Sequence, residues 1–350
     1  MDFIRISENK RFLMTEKGEP FFWLGDTAWE LFHRLSREEA ELYFDNRAAK
    51  GFNVIQAVIL AERDGLHTPN IYGQTPLYDD DPTRLREEYF AYVDELIHLA
   101  ESKGLYIGLL PTWGDKVDLV GGAGPIIFNE ANAFTYGELV GKRYHSQPNI
   151  IWILGGDRYP DGFETVWRAM AQGILAGTQG NALITYHPRG AGQSSTRLHN
   201  EPWLDFNMIQ SGHGKYNIAN WEWVQQDYEL MPIKPTVDAE PNYEYHPVAF
   251  DVQLRSGRFT DYDVRKAAYR AVLSGACGHT YGHHSIWQMH DGQHQGVTNP
   301  GISWREALDA PGAFQMGYLR RLIESRPFFS RIPDDHLVSS TDDTPENHVC

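Results

Sequence analysis

Ile150-Ile151-Trp152-Ile153-Leu154-Gly155-Gly156-Asp157 is an unbroken apolar run that closes on two glycines and a carboxylate. A run with no polar alternation suits a parallel strand buried on both faces. A helical stretch follows over 163–176. Another precedes it near 130–143, itself preceded by an apolar run over 105–111 that ends in Thr112-Trp113-Gly114-Asp115. The same unit of apolar run, polar or aromatic cluster and helix recurs outward in both directions. Strands are expected at 21–24, 52–60, 105–111, 149–154, 182–186, 206–209, 235–238 and 278–281. Helices are expected from 37, where Ser36 and Glu39 have capping-box spacing, and over 84–103, 130–143, 163–176, 221–230, 261–274 and 304–324.

Eight strands alternating with helices predict an α/β chain folded as a (β/α)8 TIM barrel. The unit between His187 and Phe206 has room only for a short helix. An open doubly wound sheet would carry a glycine-rich dinucleotide loop after its first strand, and Gly25-Asp26-Thr27 is not one. Gly121-Gly122-Ala123-Gly124 follows no strand and reads as a loop. The barrel is expected to occupy residues 1–330. Residues 331–350 change texture and read as the start of a truncated C-terminal β-domain or a tail, with a strand beginning at Leu337-Val338.

The 350 residues include 31 Lys+Arg and 47 Asp+Glu, a net charge of −16. That balance argues against nucleic acid and anionic membranes as partners, and against a long polyanionic substrate unless a local basic patch offsets the field. Two cysteines make no disulfide framework. The opening MDFIRISENKRF has no apolar signal region, and no run is long enough to cross a membrane. A cytoplasmic protein is expected, its oligomeric state left open.

Barrel enzymes place their chemistry at the C-terminal ends of the strands. Here those ends carry Asp26, Gln56, Glu62, Trp113, Asp115, Asp157, His187, His213, Glu240, Tyr281 and His283. Asp157 could cap the next helix, but Asp161 lies closer to that start. In Thr236-Val237-Asp238-Ala239-Glu240 the alternation puts Thr236, Asp238 and Glu240 on one face. That face is expected to point into the barrel, with Glu240 in the mouth and Glu244 as its competitor in the following loop. A carboxyl pair on strands four and seven has the parts for glycoside hydrolysis, one protonating the leaving oxygen and the other attacking the anomeric carbon or activating water. Trp29, Trp113, Trp287 and Tyr281 would offer faces for sugar, whereas Trp23 and Trp152 read as core.

Nine of the 15 histidines lie between His187 and His294, and Gly278-His279-Thr280-Tyr281-Gly282-His283-His284 raises the alternative of a metal-dependent amidohydrolase. Such an enzyme wants a His-x-His pair at the end of its first strand, and no H-E-x-x-H is present. The expectation is therefore no metal and no cofactor, with histidines bonding sugar hydroxyls or orienting the carboxylates. A carbohydrate-binding barrel without turnover is the other alternative.

Trp23-Leu24-Gly25-Asp26-Thr27-Ala28-Trp29, Ile153-Leu154-Gly155-Gly156-Asp157 and Thr280-Tyr281-Gly282 resemble the apiosidase-like barrel family over nearly the whole chain. Its characterised members are glycoside hydrolases that release apiose, a branched furanose, from plant pectin. The resemblance implies a (β/α)8 barrel, often followed by a small β-sandwich. It also implies a retaining mechanism, with Asp157 as acid/base and Glu240 as nucleophile. Asp26, Trp29, Gln56, Trp113, His187, His213, Tyr281, His283 and Trp287 are the expected substrate-binding residues. The acidic charge makes a short oligosaccharide or neutral plant glycoside the expected carbohydrate substrate.

Overall fold

The computed structural model describes residues 1–337 and 344–348. Eight parallel strands surround one axis: β1 Trp23–Thr27, β2 Val54–Leu60, β3 Tyr106–Thr112, β4 Ile150–Gly155, β5 Ile184–His187, β6 Asn207–Gln210, β7 Thr236–Asp238 and β8 Gly278–Tyr281. They pair in the order β5-β4-β3-β2-β1-β8-β7-β6, and Gly192–Gln193 adds an antiparallel edge to β6. Between β5 and β6 the ladder gives way to single bonds. The Asp205 N–H donates to the Ile184 carbonyl at 2.8 Å, and Thr185 Oγ1 donates to the Phe206 carbonyl at 2.7 Å. The expected (β/α)8 barrel is the fold, nearly closed by its sheet.

The outer ring holds α1 Arg37–Ala49, α2 Glu87–Ser102, α3 Glu130–Tyr144, α4 Glu164–Gly177, the one-turn α5 Ser195–Leu198, α6 Asn220–Glu229, α7 Asp261–Leu273 and α8 Pro311–Glu324. Ser36 and Glu39 form the expected capping box on α1. The helix expected over 84–103 starts later, because Asp81–Leu85 pairs with Leu77–Tyr78 in a short hairpin. The helix expected over 304–324 is broken into Trp304–Ala307 and α8. Pro311 opens the second piece, where its missing N–H costs no helical bond. Asp161 does not cap α4; it pairs with Arg197 at 2.9 Å, and Phe163 stands at the cap.

One expectation about β7 is reversed. Thr236 Oγ1 bonds Asp227 of α6 at 2.7 Å, and Asp238 Oδ2 takes Asn220 of α6 at 2.9 Å. The polar face of β7 therefore meets a helix. Val237 and Ala239 pack in the same apolar cluster as Trp23 and Ile153. A barrel interior is a packed core rather than a pore, so it takes the apolar face. Inside it Trp23 Nε1 donates to Thr280 Oγ1 at 2.9 Å, and Gln56 Nε2 donates to the Ala239 carbonyl at 3.1 Å. Glu240 still reaches the mouth, because regular strand ends at Asp238 and the alternation stops with it.

Of the tail, Asp335–Leu337 forms a single helical turn. Val338, where the expected strand continues, lies outside the described residues. His348 stacks on Trp221 at 4.0 Å and 5°.

Candidate active site

The β4 strand delivers Asp157 through two residues that must be glycine. Gly155 has φ +89°, and a Cβ there would sit 2.4 Å from the His187 carbonyl oxygen. Gly156 has φ +102°, and its Cβ would meet the Trp113 ring at 2.8 Å. Asp157 itself takes φ +55°, a left-handed conformation uncommon for residues other than glycine. Such strain persists where the surroundings hold it and clusters at functional sites. Across the mouth stands Glu240. One oxygen of Asp157, one nitrogen of His187 and one oxygen of Glu240 all lie within 4.8 Å of one another.

The two oxygens of Glu240 have different surroundings. Oε1 accepts from Gln210 Nε2 at 2.8 Å and lies 3.2 Å from His213 Nε2. Oε2 lies 3.2 Å from His187 Nε2 but off the line of a hydrogen bond, and has no bonded partner among the described residues. Burial by itself would lift the Glu240 carboxyl. The close imidazoles of His187 and His213 outweigh it and hold the group well below the usual carboxylate range. Asp157 moves the other way. Burial and then the Glu240 charge push it up to about 6, against smaller opposing effects of His187, Gln210 and Arg158. Below about pH 6 a protonated Asp157 therefore faces an ionised Glu240, the division of labour that acid and nucleophile require.

Around the pair, Trp29 lies 5.2 Å from Trp113 and 5.3 Å from His187, ring centre to ring centre. Both indoles are 2% exposed, so they wall the site rather than project from it. The open cavity of about 720 Å³ adjoins Asp157, Gln210 and His213. Its rim carries Arg158, Arg189, Lys215 and Phe250. Phe250 is 56% exposed and follows Ala249 in a left-handed pair, φ 58° and 60°. Val120 and Gly121 also reach the cavity, so the glycine-rich loop borders the site. Asp115 holds that loop by accepting the Ala123 and Gly124 N–H groups at 3.1 and 2.9 Å, and it also pairs with Lys116.

Of the sequence-predicted residues, Asp157, Glu240, His187 and His213 come together, with Trp29 and Trp113 behind them. Several others lie elsewhere. Asp26 is fully buried on the helix side of β1, bound to Arg47 at 2.5 Å and Tyr43 at 2.6 Å. Tyr281 donates to Glu244 at 2.6 Å, and Glu244 also accepts the Gly312 N–H at the start of α8. Gln56 is inside the barrel, supporting the carbonyl just before Glu240. His283 caps the short helix His284–Trp287 through the Ser285 N–H, and burial lowers its pKa to about 3. Trp287 binds His284 Nδ1 at 3.3 Å. All five side chains have partners within the scaffold, and none of them lines the cavity, although Glu240 and His187 do not line it either.

Sequence reasoning missed Gln210, Arg158, Arg189, Lys215 and Phe250. Gln210 ends β6 and Arg158 follows Asp157, so strand-end position alone could have found those two. The donors Asp157, His187 and Glu240 are also of the types that hold a divalent metal.

A family model for the apiosidase-like catalytic domain matches residues 7–330. No curated protein matches the chain. A solved structure described as a glycoside hydrolase is 38% identical, with TM-score 0.90 over 97% of this chain and 79% of its own. A family 5 glycoside hydrolase from Bacteroides vulgatus is 36% identical, with TM-score 0.89 over 97% and 75%. A family 5 mannosidase from Rhizomucor miehei, at 12% identity and TM-score 0.64 over 93% and 98%, shares the fold. A matching catalytic model across the barrel and relatives of this identity agree with the carboxyl pair at its mouth: the chain belongs to the apiosidase-like family of glycoside hydrolases.

Proposed function

We propose that this glycosidase is a retaining exo-enzyme that releases apiose or a similar furanose from plant-derived oligosaccharides. Glu240 is the nucleophile and Asp157 the acid/base. The observation that carries the reading is the carboxyl pair, with oxygens within 4.8 Å and proton affinities driven apart. Retaining enzymes hold their carboxyls ~5–5.5 Å apart, and inverting ones need ~6.5–9.5 Å to admit a water. In the first step Glu240 Oε2, the oxygen without a bonded partner, attacks the anomeric carbon. Asp157 gives its proton to the departing glycosidic oxygen. Asp157, deprotonated by that step and no longer facing the Glu240 charge, stays ionised and accepts a proton from the attacking water. The Glu240 carboxylate then leaves and the sugar keeps its configuration.

The rim favours a leaving portion with an anionic group, against the neutral substrate expected from net charge. Arg158 uses Nε and Nη1 on the Asp118 and Asp157 carbonyls and leaves Nη2 buried without a partner among the described residues. Arg189 and Lys215 stand on the same cavity. A basic cluster in a chain of net charge −16 is a local reversal of the field. A uronic acid next to the released sugar matches it.

The test is a panel of nitrophenyl glycosides that includes the apioside and arabinofuranoside, with the anomer of the first product read by NMR. Glu240→Ala should abolish turnover, and azide should restore slow formation of the inverted azide adduct. Asp157→Ala should harm poor leaving groups far more than nitrophenol. Near-normal activity of both variants would overturn the assignment. The three-donor cluster supports a second reading, a metal-assisted hydrolase, which chelation separates from the first.

A further inference from the structure

Gln210 is an uncharged side chain bonded to one of the two carboxyls and lining the same cavity as the other. It is 4% exposed at the end of β6, beside the β5–β6 seam. Its Nε2 donates to Glu240 Oε1 at 2.8 Å. Gln210 lines the same cavity as Asp157 and favours the ionised form of that carboxyl. Gln210 Oε1 and Asp157 Oδ1 are both buried without a partner among the described residues. An amide offers two N–H donors and one carbonyl acceptor. It can therefore hold Glu240 through one N–H and keep a second donor and an acceptor.

We infer that Gln210 is a positioning residue that anchors Glu240 Oε1 and leaves Oε2 as the attacking atom. This rests on the proposed roles of those two carboxyls. Gln210 Nε2 and His213 Nε2 both approach Oε1. Two donors on one oxygen localise charge there and fix the carboxylate plane, which aims the other oxygen. In the ester, Oε1 becomes the carbonyl oxygen and retains both donors. Their hydrogen bonds strengthen as Glu240 regains its charge on departure, so they favour that step as preorganised donors do.

Two near-isosteric variants test this. Gln210→Met removes the donor and keeps much of the bulk. It should lower kcat/KM about a hundredfold, the usual scale for one preorganised donor, and move the acid limb of the pH profile upward, because Glu240 has lost a bond to its charged form. Gln210→Glu provides a donor only when protonated. It should recover activity at low pH and move the alkaline limb downward by a unit or more. Opposite displacements of the two limbs support the assignment. Unmoved limbs, whether the rate falls uniformly or stays at wild type, overturn it and leave Gln210 a packing residue. Glu240→Ala and Asp157→Ala are assayed alongside. If those two retain activity, the carboxyl roles themselves are wrong; if they are inactive while both Gln210 profiles stay fixed, only the Gln210 inference fails.

Discussion

The backbone N–H of Tyr243 reaches Nδ1 of His213 at 3.3 Å. A backbone N–H can only donate, so the imidazole proton sits on Nε2, and that proton faces Glu240 Oε1 at 3.2 Å. The loop after β7 thus sets the tautomer of a residue from the loop after β6, and through it the ionised state of the carboxylate between them.

With Glu240 held low and Asp157 raised, the two limbs of the pH profile belong to different groups. Asp157 works in the first step while protonated, and its pKa stands at about 6. Raising the pH through that value removes the catalytic proton. kcat/KM on a substrate with a poor leaving group should therefore fall about tenfold per pH unit above ~6. The acid limb, set by Glu240, should lie below the normal glutamate range. Measurement from pH 3 to 9 checks both. A rate still climbing through pH 8 would remove Asp157 as the acid.

Asp157, His187 and Glu240 form a three-donor cluster, so metal dependence is a direct question. In the glycosidase reading the cluster needs no ion: His187 lies beside a carboxylate, and one carboxyl carries a proton. Dialysis against chelator should leave kcat/KM unchanged, and added zinc should inhibit by tying the carboxyls together. Loss of activity on chelation with recovery on zinc would give the site to the metal.

Much of the barrel was legible because each β4-like run is apolar on both faces and ends in a break. Asp157 and Glu240 were legible as carboxylates at strand ends. The facing of β7 was not. Period two shows which residues share a face but not which face meets the helices, and Asp227 and Asn220 of α6 decide that for Thr236 and Asp238. Nor could strand-end position separate Asp26 from Asp157. Both follow glycine, but Asp26 still lies within regular strand, where its side chain points to α1, whereas Asp157 lies beyond two glycines that turn the chain into the mouth.

Asp26 therefore predicts a stability phenotype. Its carboxylate binds Arg47, and both side chains are fully buried. Arg47 keeps bonds to the Leu308 carbonyl and Asn46, but neither neutralises it. Asp26→Ala leaves a buried guanidinium without its counter-charge, a change that typically costs about 3–5 kcal/mol. Denaturant unfolding should show a loss of that size, larger than for the double variant Asp26→Ala, Arg47→Met, which removes both charges. A variant of wild-type stability with a selectively raised KM would return Asp26 to the substrate site.

The rim arginines predict a dependence on substrate charge. Arg189 and Lys215 are exposed on the cavity, and Arg158 presents a buried Nη2 with no partner among the described residues. Arg158 also anchors the Asp118 carbonyl, so its removal would disturb the loop as well as the charge. Arg158→Lys keeps the charge and loses the fork, which separates bidentate recognition from simple attraction. For a substrate with a uronate in the leaving portion, Arg189→Ala and Lys215→Ala should each raise KM several-fold, the order expected for partly solvated charge pairs. Arg158→Lys should raise it more, because its contact is desolvated. Each effect should shrink when the uronate is methyl-esterified, and it should weaken in 0.5 M salt for the exposed pair but less for Arg158, since screening acts mainly on exposed charges. Equal losses on the acid and its methyl ester would mean that these residues shape the cavity without reading charge.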